Sequence, residues 1–199
     1  MVRRLTTPRQ DQEKFPINLV QPFASCEPAA TFPASMKIVR IILVALITPF
    51  SSEADDKVFE PFEGDGFGTW TETGTAFGKA PTTGGHGRLA NKVRGYANES
   101  LASSFAEGSA GMGSLTSPFF VIEHRYLSFL VGGGSKKGLT SIQLLIGDKI
   151  VREATGQDDP VLRSCCWDLQ DFRGQKARIR LVDAVDGENG FILADHVLF

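Results

Sequence analysis

The chain has 199 residues, 22% of them charged and 42% hydrophobic, with a net charge of −2. That balance gives no basic field to draw in nucleic acid, so a nucleic-acid partner is not expected. Three cysteines and three histidines are too few, and too irregularly spaced, for a zinc site of the usual four-ligand kind.

Residues 1–35 are proline-rich, with Pro8, Pro16, Pro22 and Pro33 among them, and show no hydrophobic period. They read as a mis-called upstream extension or a disordered tail. Residues 36–54 read as a signal peptide. Lys37 and Arg40 make a charged start, Ile41 to Phe50 an apolar run, and Ser52-Glu53-Ala54 a small-x-small cleavage site. The run is too short to span a bilayer; a buried strand is its other reading. Cleavage there starts the mature chain at Asp55 and makes the protein secreted or periplasmic, with no membrane anchor left. Residues 55–199 then form one domain, with a net charge near −4.

This domain reads as short strands punctuated by glycine. Strands are expected at Val58–Phe62, Trp70–Thr73, Leu101–Phe105, Phe119–Ile122, Tyr126–Val131, Ser141–Ile146, Lys149–Ala154, Lys176–Val182 and Phe191–Leu198. Ala177, Ile179 and Leu181 alternate with Lys176, Arg178 and Arg180, the pattern of a strand with one buried face. No window gives a convincing helix. Many short strands with turn signals between them predict an all-β fold, and at this size a jelly-roll β-sandwich.

Between the early strands lies Gly78 to Ser100, a long stretch with little strand character. Long loops on a rigid sandwich often carry function. This one holds His86, Arg88, Arg94, Tyr96, Asn98 and Glu99, a mixture able to hydrogen-bond a polyhydroxy ligand. A solvated crossover between sheets is the alternative. Asn98-Glu99-Ser100 is also a glycosylation sequon.

FLVGGGSKKG, Phe129 to Gly138, looks at first like a phosphate loop. The spacing fails: Leu139, not Lys, follows Gly138. The next residues, TSIQLLIGDKIV, read as two strands joined at Gly147-Asp148, so no helix N-terminus faces an anion. The glycines are expected to shape a strand end and let backbone approach closely. Further on, Cys165 and Cys166 are adjacent and are expected as two thiols or as a strained vicinal ring.

Several runs, in order, resemble a known module: FEGDGFGTWTETGTAFG (Phe62 to Gly78), Gly95-Tyr96, GSLTSPFF (Gly113 to Phe120), FLVGGG (Phe129 to Gly134), Trp167-Asp168 and ADHVLF (Ala194 to Phe199). The chain is similar to a secreted β-sandwich, galactose-binding-like domain associated with levanases and other fructan hydrolases of glycoside hydrolase family 32. The resemblance implies a carbohydrate-binding-type module whose partners are a polysaccharide, fructan-type or another plant or microbial glycan, and a hydrolase. The hydrolases of that family carry N-D-P-N-G, R-D-P and E-C motifs, and none occurs here; Asp158-Asp159-Pro160 is only an echo. A levanase-type glycosidase needs two placed carboxylates and is the least expected reading. The family's segment before the last strand often reads Trp-Gly; here it is Asn189-Gly190.

The expected ligand-binding residues are Tyr96, Arg94, His86 and Glu99, with Gly133 and Gly134 offering backbone N–H groups. Trp70 and Trp167 are expected in the core rather than as platforms for a sugar ring. Asp195 shares the last strand's face with Phe191, Leu193, Val197 and Phe199. A carboxylate there needs a partner. One solution is a structural Ca2+ held with Glu63, with Glu60 or Asp65 as a third ligand; a pairing with Arg94 or Arg125 is another. The alternative function is a structural or adhesive, calcium-stabilised sandwich without sugar specificity.

Overall fold

The computed structural model describes residues 56–105 and 111–199. The expected signal peptide, the extension before it and the start at Asp55 lie outside the described residues. The strands are β1 Val58–Glu60, β2 Thr71–Gly74, β3 Ala102–Ser103, β4 Gly113–Thr116, β5 Phe120–Val121, β6 Tyr126–Gly133, β7 Thr140–Ile146, β8 Lys149–Ala154, β9 Asp159–Asp168, β10 Lys176–Asp183 and β11 Ile192–Leu198.

They form two antiparallel sheets. One has the order β1-β11-β6-β9, with β3 also on β11; the other has β2-β4-β10-β7-β8, with β5 also on β10. From β6 onward the chain alternates between them: β6, then the β7–β8 hairpin, then β9, β10 and β11. That interleaving is a jelly roll. The fold is therefore an all-β sandwich, and the first and last strands pair, Val58 opposite Leu198.

Each sheet turns one face inward. β10 buries Ala177, Ile179 and Leu181 and leaves Lys176, Arg178 and Arg180 outside, as its alternation predicts. Across the sandwich these meet Leu127, Phe129, Val131, Trp167, Ile192, Ala194 and Val197 in one core cluster. Trp70 and Trp167 are both in it, with the Trp167 ring edge-on to Phe129 at 4.6 Å. β7 and β8 pair Ile146 with Lys149 across a two-residue turn, in which Gly147 takes a φ of 59°. That is the tight hairpin the dipeptide predicts.

Two strands were not anticipated, β4 and the ten-residue β9. Cys165 and Cys166 lie within β9, half-buried and exposed respectively. Adjacent side chains of an extended strand point to opposite faces, so a vicinal ring does not form there. The last strand departs from regular alternation. Its pairing with β6 shifts between Asp195 and Leu198, and His196 takes a left-handed φ of 53°. This bulge sends Val197 into the main core while Leu193 stays on the opposite face with Phe191. The five-residue shared face expected for Asp195 is thereby split.

The glycine triplet belongs to the strand end. Gly133 has a φ of 104°, and a Cβ on it would run into the Phe191 carbonyl oxygen. Lys136 and Lys137 are exposed, and a strand follows them, not a helix. Gly133→Ala is expected to destabilise the fold by about 1–3 kcal/mol, read by urea denaturation; an unchanged midpoint would mean the backbone relaxes there at no cost.

Candidate functional site

The 78–100 segment is not a free loop. Leu89 and Val93 pack with Leu101, Phe105, Leu162, Phe191 and Leu193 into a second apolar cluster, on the side of β9 and β11 away from the main core. The segment is also tied by backbone. Thr82 pairs with Leu101, and Arg94 bridges Val161 on the outer edge of β9. The Arg88 guanidinium lies 4.7 Å from the Phe105 ring centre and donates to the Gly187 carbonyl at 2.7 Å.

The expected ligand residues are thereby distributed. Tyr96 is half-buried against the second cluster. Arg94 is exposed and its Nη1 donates to the Val93 carbonyl. His86 is exposed where a 3-10 turn, Gly87–Leu89, begins. Glu99 is exposed, and its N–H donates to Glu63 Oε1. Gly133 and Gly134 are buried two strand spacings from Arg94, with β9 between them. The Gly134 N–H already donates to the Phe191 carbonyl at 2.8 Å, so it is not an available donor as expected; the triplet brings strands together.

Under the end of the 78–100 segment lies a group of carboxylates. Asp195 is 0% exposed. Its Oδ2 accepts the Ala97 N–H at 2.6 Å and its Oδ1 the His196 N–H at 2.7 Å. Burial pushes its pKa up to about 7; the two N–H groups oppose that, and the negative Glu63 and Glu60 add to it. Glu63 Oε1 accepts the Glu99 and Ser100 N–H groups, and its Oε2 the Ser100 hydroxyl. Burial alone would raise the Glu63 pKa, but the bonds from Ser100 and Glu99 leave it lowered. Glu60 is engaged by the Phe62 N–H and the Trp70 indole N–H. The two arginines expected as alternative partners for Asp195 are used elsewhere: Arg125 pairs with Asp168 at 2.9 Å, and Arg94 donates to the neighbouring Val93 carbonyl. The donors here are all oxygens, the chemistry a hard cation prefers. Among the described residues, however, no group of three or more His, Cys, Asp and Glu side chains is placed to hold a metal.

One concavity escaped the sequence reading. A cleft of about 160 Å³ opens between β8 and β9, lined in part by Thr155, Gln157, Arg163, Ser164 and Cys165. Its walls come from separate stretches with no shared motif. The one sequence signal was Gly156, on which a Cβ would strike the Gly133 backbone.

No family model matches the chain. A protein of Aspergillus rugulosus, named as a glycosyl hydrolase, is 34% identical over 152 residues, which cover 75% of this chain and 22% of that protein. Among solved structures, the K2 cleaved adhesin domain of Lys-gingipain is similar at a TM-score of 0.50 and 16% identity, over 72% of this chain and 98% of that one. TmCBM61, solved with β-1,4-galactotriose, follows at a TM-score of 0.45 and 14% identity, over 70% and 94%. At 16% identity the likeness to the adhesin domain speaks to fold alone. The chain is thus a jelly-roll β-sandwich that shares sequence with about a fifth (22%) of the length of the hydrolase-named protein it matches.

Proposed function

We propose that this chain is a non-catalytic carbohydrate-binding module that accompanies a glycoside hydrolase. The observation that carries the reading is the 34% identity confined to 22% of a hydrolase-named protein, in a chain that lacks the family's catalytic motifs. We further assign it to the kind associated with family 32 hydrolases such as levanases, on the residues of the resemblance. Its partners would be a fructan-type or other plant or microbial polysaccharide and a hydrolase. It would act outside the cytoplasm after cleavage at residue 54, as one domain over 55–199.

Tyr96 is the aromatic contact proposed for the 78–100 segment, with Arg94, His86 and Glu99 as polar neighbours. Affinity electrophoresis of the full chain through gels holding levan, inulin or unrelated glycans tests this. Retardation by at least one neutral glycan is expected. Tyr96→Ala should weaken it about tenfold, the effect of ~1.4 kcal/mol. Equal mobility in every gel would refute glycan binding.

A second reading has its own observation. The 78–100 segment packs down with Tyr96 half-buried, as a structural or adhesive domain would also have it. In either case we propose that Asp195 and Glu63 hold a structural Ca2+, its other positions filled by uncharged oxygens. Buried Asp195 faces two further negative charges, which a cation would offset.

A further inference from the structure

The cleft between β8 and β9 has a composition suited to one kind of ligand. β8 ends one sheet and β9 ends the other, so the cleft enters the open side of the sandwich where the 155–158 turn crosses between them. Val131, Ala154 and Cys165, which pack on the main core, give it an apolar floor. The side chains of Thr155 and Gln157 rim it, and among the described residues neither has a hydrogen-bond partner; Ser164, between Arg163 and Cys165 on β9, turns its side chain to the other face of the strand. Gly156 lies flush against the Gly132–Gly133 backbone and brings no side chain to fill the space.

Its electrostatics narrow the choice. Arg163 is the one charged residue of the lining. Both its terminal nitrogens bond the Asp159 carboxylate, at 2.7 Å each. The hydrogen bond from Arg163 holds the Asp159 carboxyl below the usual carboxylate range. The pair therefore stays ionised and mutually neutralised, with no surplus positive charge for an acid. The volume is below the ~300–1,000 Å³ of pockets that enclose drug-sized ligands. It suits one small ring and not a run of several. An apolar floor under a rim of unclaimed hydroxyl and amide groups matches the two kinds of surface a pyranose or furanose presents.

We propose that this cleft binds a single neutral sugar ring, the terminal residue of a glycan. The proposal rests on the reading that the chain binds glycans, and it adds a place, a charge class and a preference for chain ends.

Cys165 reports on occupancy because it lines the cleft. Burial pushes its thiol pKa up, so alkylation is followed at alkaline pH, with the modified residue located by peptide mass mapping. The probes are galactose, glucose, fructose and galacturonate, added to the full chain. At least one neutral sugar should slow Cys165 alkylation several-fold while leaving Cys166 unaffected, and galacturonate should not. Thr155→Val with Gln157→Ala should remove that protection and weaken polysaccharide retardation roughly tenfold, with the melting temperature as a check on folding. Retardation by a glycan without protection of Cys165 by any neutral sugar would overturn the cleft and leave glycan binding standing. Protection by galacturonate equal to that by galactose would overturn the charge assignment. If neither polymer nor monosaccharide binds, the cleft and the function proposed above both fall.

Discussion

Phe129→Ala is expected to lower the stability of the fold by about 3–5 kcal/mol. Phe129 is 2% exposed. It projects from the middle of β6, the strand flanked by β11 and β9, into the main core. Its ring meets Trp167 edge-on at 4.6 Å, a geometry that adds to simple burial. Truncation leaves a cavity the two sheets cannot close without sliding, because both are held by their ladders. Against a total of ~5–15 kcal/mol for an ordinary domain, that loss is severe; chemical denaturation would register it as a large fall in midpoint. Phe119→Ala is the control. Phe119 is 51% exposed and lies under the cations of Lys176 and Arg178, so its loss should stay within ~0.5 kcal/mol, the range for surface changes. Equal effects at both positions would mean the two sheets are not packed as described.

Asp195 gives the second large effect, and it depends on pH. With calcium chelated, stability is expected to fall as pH rises from about 4 to about 7. The folded pKa is about 7 against an ordinary 3.8. Between those values the folded protein keeps a proton that the unfolded chain has lost. The stabilisation is thus complete below the ordinary value and is lost as pH rises through the folded one. Three pH units at ~1.36 kcal/mol each bound the effect at about 4 kcal/mol. Asp183, raised mainly by its own burial, acts in the same direction. Glu63, Glu153, Asp159 and Asp168 are all lowered. They act oppositely, losing their stabilisation as pH falls below the ordinary carboxylate range. Asp195→Asn should flatten the decline above pH ~4 and leave the acid limb intact. In wild-type protein at neutral pH, calcium at a hundred times its Kd should add ~2.7 kcal/mol and do nothing for Asp195→Asn. A calcium effect of equal size in both would remove Asp195 from the proposed ligands.

How much of this was legible in the sequence depends on whether the two faces of a strand differ in residue type. β10 has one wet face, and its alternation named the buried residues correctly. β9 alternates in burial, with Ser164, Cys166 and Asp168 exposed between the half-buried Arg163 and Cys165 and the buried Trp167, but not in residue type. Its Arg163, Cys165 and Trp167 share one face, while Leu162 turns to the second apolar cluster beneath the 78–100 segment. An arginine on the inward face and a leucine and a cysteine on the other blur the period of two on which a strand assignment rests, and Pro160 at its start argued for a turn. The 78–100 segment also hid its role: Leu89 and Val93 anchor it through long-range packing that no local pattern encodes. The bulge at His196 is invisible for a different reason, since one extra residue in a ladder leaves composition unchanged. Asp195 was singled out as a carboxylate in need of a partner, and its full burial accords with that. The cleft was not anticipated, since Thr155–Gln157, Arg163–Cys165 and Val131 meet only when the edges of the two sheets close together.

The most direct measurement is calorimetry of the full chain against levan, inulin and a panel of unrelated neutral and acidic glycans, with and without calcium. Saturable heat is expected with at least one neutral glycan, weakened by Tyr96→Ala or by the paired change at Thr155 and Gln157. No heat with any glycan, while calcium still raises the melting temperature, would contradict glycan binding and leave a calcium-stabilised structural sandwich in its place.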